Sequence, residues 1–368
     1  MFERRLFFHI DWALVTAILL ITGIGIAMIY STTYVTIDGA GHAGREVKTQ
    51  IYALVLGLVA LLIFLSIDYR MLAEHSLIIY VALAGLLLFV LFKGSTQMGA
   101  QRWISIGSFN LQPSEFARMV VALILAMYFG ENRRGARNTS DLVIGGMFTL
   151  VPLLLIAKQP DLGTAVTLLP VFFGVAYLAG LRMRLLAVIE IAGILLTPIV
   201  WKFALQDYQK SRIQMFIDPS KDPRGAGYQT IQARITVGSG GLLGKGFRQG
   251  TQGQYDFLPV AHNDFIFSVL AEEQGFVGVL AVLGLYLFVI FRSLQAARLA
   301  KDRLGAYLVG GIVAGFAFQV IYNIAMSVGL APVKGITLPL MSYGGSSLIA
   351  AMATFGLILN VRMRRFTN

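Results

Sequence analysis

Long apolar runs, most of them uncharged, alternate with short polar connections along most of the chain. Ten runs stand out: Trp12–Tyr30, Gln50–Ile67, Ser76–Phe92, Ser114–Gly130, Leu142–Ala157, Gly163–Gly180, Leu185–Leu205, Phe265–Phe291, Gly305–Leu330 and Gly344–Val361. A hydrocarbon core of about 30 Å needs about 20 helical residues to cross it. The fifth run is short and contains Pro152. Strands of a membrane barrel would alternate in polarity, and open sheets leave backbone groups unpaired in lipid. No run alternates in that way, so each is read as a helix. The pattern predicts an all-α, polytopic integral membrane protein with ten transmembrane helices in a single transmembrane domain over residues 1–368.

Composition agrees. Of the 368 residues, 57% are hydrophobic and only 13% charged, about half the charge of a soluble domain. That excludes an ordinary cytosolic enzyme and a disordered chain. There is no cysteine, which removes disulfides, cysteine-ligated zinc, iron–sulfur clusters and thiol nucleophiles together. The net charge of +11 matters through its placement. Arg4, Arg5, Arg70, Arg133, Arg134, Arg137, Arg182, Arg184, Arg292, Arg298, Lys301, Arg303, Arg362, Arg364 and Arg365 fall on one side of the spans. The short loops opposite hold only Arg45, Lys48, Lys93, Arg102, Lys158 and Lys334. Basic residues in short loops mark the cytoplasmic side, so both termini are expected there, as an even span count requires. The first run is too long for a signal-peptide core and is read as a retained helix.

One segment departs from the short-loop pattern. About residues 206–264, between the seventh and eighth spans, form a long polar, glycine-rich stretch on the outer face. Loops of this length are usually functional or disordered. Apolar and aromatic residues in Ile213–Ile217 and Tyr228–Val237 favour docking over disorder.

Ionisable groups inside lipid cost about 2.5–3.5 kcal/mol each, so they mark places that water or substrate reaches. The candidates lie at the outward ends of spans: Arg102, Glu115, Arg118, Lys158, Asp161 and Asp264. Glu115 and Arg118, three residues apart, share a helical face and can pair, either as a structural ion pair or facing substrate. Asp264 opens the eighth span, where a carboxylate can act as a simple N-cap or as a reactive group. The run Gly238-Ser239-Gly240-Gly241-Leu242-Leu243-Gly244-Lys245-Gly246 suggests a phosphate loop, but its first required glycine is Ser239 and no Ser or Thr follows Gly244-Lys245. A turn cradling some other diphosphate stays open. Gly344-Gly345 reads as close helix packing or a bent helix start. The residues alone describe an outward-facing basic cavity suited to an amphiphilic anion with an apolar tail, such as a lipid-linked phosphate.

Several motifs, in order, carry a resemblance: Gln101-Arg102-Trp103, Gln112-Pro113-Ser114-Glu115, Gln159-Pro160-Asp161-Leu162-Gly163-Thr164, Gly225-Ala226-Gly227-Tyr228-Gln229, Gly238-Ser239-Gly240-Gly241-Leu242, Gly244-Lys245-Gly246, Asp264-Phe265-Ile266-Phe267 and Pro339-Leu340-Met341-Ser342-Tyr343-Gly344-Gly345-Ser346. With these the chain resembles the SEDS family (shape, elongation, division and sporulation). Asp207-Tyr208-Gln209 and Asp218-Pro219 favour its elongation branch, RodA. The resemblance implies a peptidoglycan glycosyltransferase in the bacterial plasma (inner) membrane. It would polymerise lipid II on the outer face during elongation and release undecaprenyl diphosphate. It implies ten helices with the large outer loop between the seventh and eighth, and a catalytic aspartate at Asp264. Functional positions are implied at Glu115, Asp161 and Arg118, where the family commonly carries lysine. Implied partners are a class B penicillin-binding protein and the rod complex, with no nucleic acid. A divalent cation, magnesium or manganese, is implied without a readable ligand set, and no organic cofactor. Where the family usually carries Glu and Thr near the aspartate, this chain has Val260 and Asn263; Gln274 replaces the Leu of Glu-Glu-Leu-Gly.

On this resemblance Asp264 is expected to be the general base. Arg102, Arg118, Arg212 and Lys245 are expected to stabilise diphosphate charge. Glu115 would orient Arg118, and Asp161 would position a sugar or cation. Two other readings of the same cavity are a lipid II flippase and a non-catalytic scaffold for the penicillin-binding partner.

Overall fold

The computed structural model describes residues 9–37, 40–42, 44–97, 100–107, 109–131, 139–203, 207–222, 226–254 and 257–366. Of the residues weighed in the sequence, Arg4, Arg5, Arg133, Arg134, Arg137, Gly225 and part of the 206–264 stretch lie outside the described residues. The helices, in chain order, are α1 (Trp12–Thr33), α2 (Arg45–Ser66), α3 (Tyr69–Glu74), α4 (Ser76–Lys93), α5 (Ala117–Glu131) and α6 (Thr139–Lys158). They continue with α7 (Leu162–Val166), α8 (Leu168–Leu178), α9 (Met183–Phe203), α10 (Asp207–Ile217), α11 (Ala226–Ser239) and α12 (Thr251–Gln254). The last three are α13 (Ile266–Arg298), α14 (Arg303–Ser327) and α15 (Gly345–Met363).

Eight helical stretches among the described residues are long and apolar enough to cross a membrane. They match the first to fifth and the eighth to tenth runs of the sequence. The sixth run folds as α7 and α8, broken at Thr167, and the seventh as the 21-residue α9. The protein is therefore a mostly helical, multi-pass membrane protein. Its centre is built from α5, α14 and α15, whose residues are mostly buried, while α2, α4 and α13 turn apolar faces outward. α15 packs along α2, and α14 along α5, α8 and α13.

The all-α expectation holds, with short strands added outside the spans. Short antiparallel strands occupy two outer connections: β1 (Val35–Ile37) with β2 (Ala40–His42), and β3 (Ser95–Gln97), β4 (Ala100–Ile106) and β5 (Phe109–Leu111) in one sheet. Water can serve their open edges there, which lipid could not.

The basic residues expected on the inner side bind carboxylates that close the bundle. Asp11 caps α1 by accepting from the Leu14 N–H, and its oxygens also receive Arg292 and Arg362. Asp68 takes Arg364 at 3.0 Å. Asp302 caps α14 through the Gly305 N–H and also receives Arg70 and the Tyr69 hydroxyl. Burial, with Asp302 adding to it, pushes the Tyr69 phenol above its ordinary value. Asn360 donates to the carbonyls of Phe64, Leu65 and Ile67, tying α15 to the end of α2. Asp11→Ala leaves two guanidinium groups facing each other without their shared acceptor. An expected loss of about 1–3 kcal/mol would register as a lower melting temperature in detergent, and an unchanged transition would contradict it.

α13 is not continuous. At Gly275 the backbone leaves the helix (φ 63°, ψ −166°), a region open essentially to glycine alone. The glycine-rich run fills the break. Lys245 and Gly246 N–H groups donate to the Glu272 and Glu273 carbonyls above it. Below it, Phe276 and Val277 N–H groups donate to the carbonyls of Gly241 and Leu242. The groups orphaned by the kink are thus satisfied by the turn, as buried backbone requires. Gly244 (φ +79°) is forced here too, because a Cβ on it would lie 2.2 Å from the Glu273 carbonyl oxygen. The run is a backbone plug, and the diphosphate-cradle reading is replaced by it.

Candidate functional site

The outward ends of the helices enclose a cavity of about 410 Å³. One wall is a chain of charged and polar side chains. Pro113 starts the 3-10 turn Pro113–Phe116 ahead of α5, a position that suits its missing N–H. On that turn Glu115 accepts from Arg118 at 2.7 Å. Asp161 caps α7 through the Thr164 N–H, accepts from Gln112 Nε2 at 2.9 Å, and has Arg102 of β4 at 3.4 Å. The Gln112 N–H in turn donates to Ser346 at the start of α15. Three segments far apart in sequence, around residues 102–118, 161–164 and 346, are joined by this network. Its side chains are largely buried, so the pairs act in a medium where charge interactions are stronger than in water.

The facing wall carries Arg45, Glu46 and Thr49 of α2 with His262 and Tyr343, whose rings meet edge to face at 5.5 Å. The Tyr343 N–H donates to the His262 carbonyl, and Gln50 bridges the Ser342 carbonyl and the Gly344 N–H. Burial holds His262 below its ordinary pKa, against the opposing pull of Glu46.

Asp264 directly follows the cavity-lining residues Val260, His262 and Asn263 and is not itself a lining residue. Its N–H and that of Asn263 both donate to the Val260 carbonyl, and Val260 takes φ +54°, an outlier for a β-branched residue. The Asp264 carboxyl lies behind Gly335, where a built Cβ would be 3.5 Å from Oδ2. Oδ1 has no solvent access and no hydrogen-bond partner among the described residues. Burial pushes this carboxyl up to about 6; Arg212 and Arg102 pull it back, and Asp161 pushes it further up. The simple cap reading does not hold, because the N-cap position of α13 is Phe265 and no side chain caps it.

Of the candidates, Arg102, Glu115 and Asp161 line the cavity. Arg118 joins it through Glu115. Arg212 donates to the Val333 carbonyl, on the segment that carries Gly335, and lies within the field of Asp264. Burial, together with Arg212, holds the neighbouring Lys334 below its ordinary value. Lys245 is brought elsewhere. Its ammonium lies 2.6 Å from Glu272, which also accepts from the Thr251 and Gln252 N–H groups.

Sequence reasoning passed over Gln112 and the Glu46 wall. It also passed over Asn323, a buried residue of α14 whose amide donates to the Asp264 carbonyl at 3.0 Å and the Ile336 carbonyl at 2.6 Å. Only the unusual placing of a lone Asn in an apolar span signalled it. Among the described residues no three acidic or histidine side chains are grouped closely enough to hold a metal ion. The divalent cation that the resemblance implies finds no ligand set there.

A family model described as cell cycle protein, covering FtsW, RodA and SpoVE, matches residues 11–366. The peptidoglycan glycosyltransferase MrdB of Escherichia coli (strain K12) is 38% identical over 342 residues, 92% of each chain. The peptidoglycan glycosyltransferase RodA of Treponema pallidum (strain Nichols) is 31% identical, over 96% of this chain and 98% of the relative. Among solved structures, a chain of a peptidoglycan synthase complex described as coordinating polymerization and crosslinking aligns with a TM-score of 0.82 and 35% identity. It covers 98% of this chain and 99% of that one. The rod shape determining protein RodA of Thermus thermophilus aligns with a TM-score of 0.72 and 30% identity, over 98% of each chain.

Proposed function

We infer that this chain, which belongs to the FtsW/RodA/SpoVE family of cell-cycle proteins, is a peptidoglycan glycosyltransferase of the inner membrane, and we propose Asp264 as its general base. The substrate is lipid II. The acceptor 4-hydroxyl attacks the anomeric carbon of the donor, giving inversion. Its proton passes to Asp264 as the new carbon–oxygen bond forms, while the donor's bond to phosphate breaks and its electron pair leaves with the lipid diphosphate. Arg102 and Arg212 flank Asp264 electrostatically and stabilise the developing diphosphate charge. Arg118, oriented by Glu115, adds charge at the same end, and Asp161 holds Arg102 and Gln112 in register. α7–α8 and α9 make up the remaining two of ten spans, and the chain forms one transmembrane domain. A class B penicillin-binding protein is the partner, by analogy with the related synthase complex.

The observation that carries this reading is the state of Asp264: a buried carboxyl oxygen without a partner among the described residues, in the field of two arginines and an aspartate, after a turn strained at Val260. A carboxylate raised to about 6 is a stronger base than a surface one yet is still ionised at neutral pH. Glycan strands made from lipid II by the purified protein in detergent test the activity, because detergent leaves no bilayer across which to flip the lipid. A protein that makes none, alone or with its crosslinking partner, overturns the reading.

A pH profile follows. The base works ionised, so kcat/KM is expected to be flat above about 6 and to fall about tenfold per unit below it. Initial rates between pH 4.5 and 8 check this; an acid limb placed near the ordinary aspartate value would contradict it.

A further inference from the structure

We propose that the glycine-rich turn carrying Leu242 and Leu243 is immersed in the outer leaflet, where the two leucines contact lipid chains and anchor the outer segment between α9 and α13 to the bilayer. Sequence places this run in a polar extracellular loop. Three observations move it into the membrane.

The first is depth. The turn is bonded to α13 at Gly275–Val277. From Gly275 to Arg292, which meets Asp11 in the inner charge layer, there are about 17 residues, or about 26 Å of helix. The hydrocarbon core is about 30 Å thick. Both the break and the turn therefore fall inside its outer edge.

The second is exposure. Leu242 and Leu243 are 72% and 81% exposed, two adjacent large apolar side chains presented at the tip of one turn. Two adjacent leucines left in water would each forgo the favourable burial of their apolar surface. The third is continuity. Phe276, Val277 and Leu280 of α13 are also exposed and begin the lipid-facing stripe of that helix, and the leucines extend it upward without a polar gap. The backbone bonds at the break supply the remaining condition, since the main chain of a turn can enter lipid only if its polar groups are paired.

The anchor has a defined load. Glu272, one turn above the break, holds Lys245 and the N–H groups of Thr251 and Gln252. The Leu258 N–H donates to the Gln252 carbonyl, a few residues before Asp264. Seating the turn in lipid thus fixes the height of the strand that leads into the Asp264 turn.

The sequence lacks cysteine, so single labels are unambiguous. Leu242→Cys and Leu243→Cys, each carrying a bimane fluorophore, are placed in full-length protein in phosphatidylethanolamine–phosphatidylglycerol vesicles. Lys221→Cys, on an exposed part of the outer segment, serves as the aqueous reference. Expected are a blue-shifted emission at positions 242 and 243, quenching by a phospholipid bearing a nitroxide at carbon 5, and protection from iodide, with the opposite pattern at 221. Quenching by iodide but not by the nitroxide lipid overturns the proposal in favour of an aqueous loop. Protection from both overturns it in favour of a covering protein surface, a second copy included. The two positions are independent, so poor assembly of one variant leaves the other to decide.

Discussion

Asp264→Asn lowers kcat for strand formation from lipid II by about 10²–10⁴-fold, the usual contribution of a positioned acid–base group. Asp264→Ala is expected to do the same. The asparagine variant is the more informative because it keeps size and shape. The contact that seats this residue, from Asn323, goes to its backbone carbonyl and survives the change. The variant should also melt higher than wild type near pH 7. The native carboxyl is raised to about 6 from an ordinary 3.8. A raised acid contributes stability only below its unfolded value and loses it as pH climbs through the folded one. Above about 6 the ionised group therefore costs folding free energy, on the order of 2–3 kcal/mol. Removing the charge recovers that, so activity and stability move in opposite directions. Polymerisation assays paired with thermal unfolding read both. A folded variant that polymerises at the wild-type rate removes Asp264 from the chemistry.

Gly275→Ala is expected to be among the most damaging single-methyl additions at the described glycines. Its φ and ψ are closed to other residues at a cost of about 1–3 kcal/mol. The added Cβ would also lie 2.2 Å from the Gly244 nitrogen, with backbone rather than a yielding side chain on the far side. The turn would have to withdraw, exposing the four N–H and carbonyl pairs that close the break. The expected result is a loss of more than about 3 kcal/mol, seen as poor recovery of folded protein from membranes and a steeply lowered melting temperature. Gly85→Ala is the control: it lies within α4 and a Cβ there meets nothing within 4 Å. Equal behaviour of the two variants would show that the break tolerates refilling as ordinary helix.

The spans were legible because lipid demands long apolar runs, and that demand is local. Glu115–Arg118 was legible for the same reason, being a matter of spacing on one helix. The break in α13 was hidden, since Glu272-Glu273-Gln274-Gly275 reads as the polar start of a continuous helix and Gly275 as one tolerated glycine. What makes it a break lies about 30 residues earlier, in Gly241 and Leu242, and no windowed reading joins them. Lys245 looked like a phosphate ligand because charge beside glycines is ambiguous until its partner, Glu272, is placed. Gln112 and Glu46 escaped notice because their meaning comes from the walls they face, contributed by β4, α7 and the loop before α15. The strands in the outer connections were too short to leave a period.

Asn323 divides one amide group between the carbonyls of Asp264 and Ile336. Two strips of main chain, one leading into α13 and one leaving α14, are therefore pinned to a single point near the outer end of α14. Any tilt of that helix carries both strips together, so the distance between the carboxylate and the Gly335 edge is preserved. The Asp264 turn is thus held from two sides, by a largely buried helix through Asn323 and by the outer segment through its bonds to Glu272, so a shift of either support alone leaves it braced by the other.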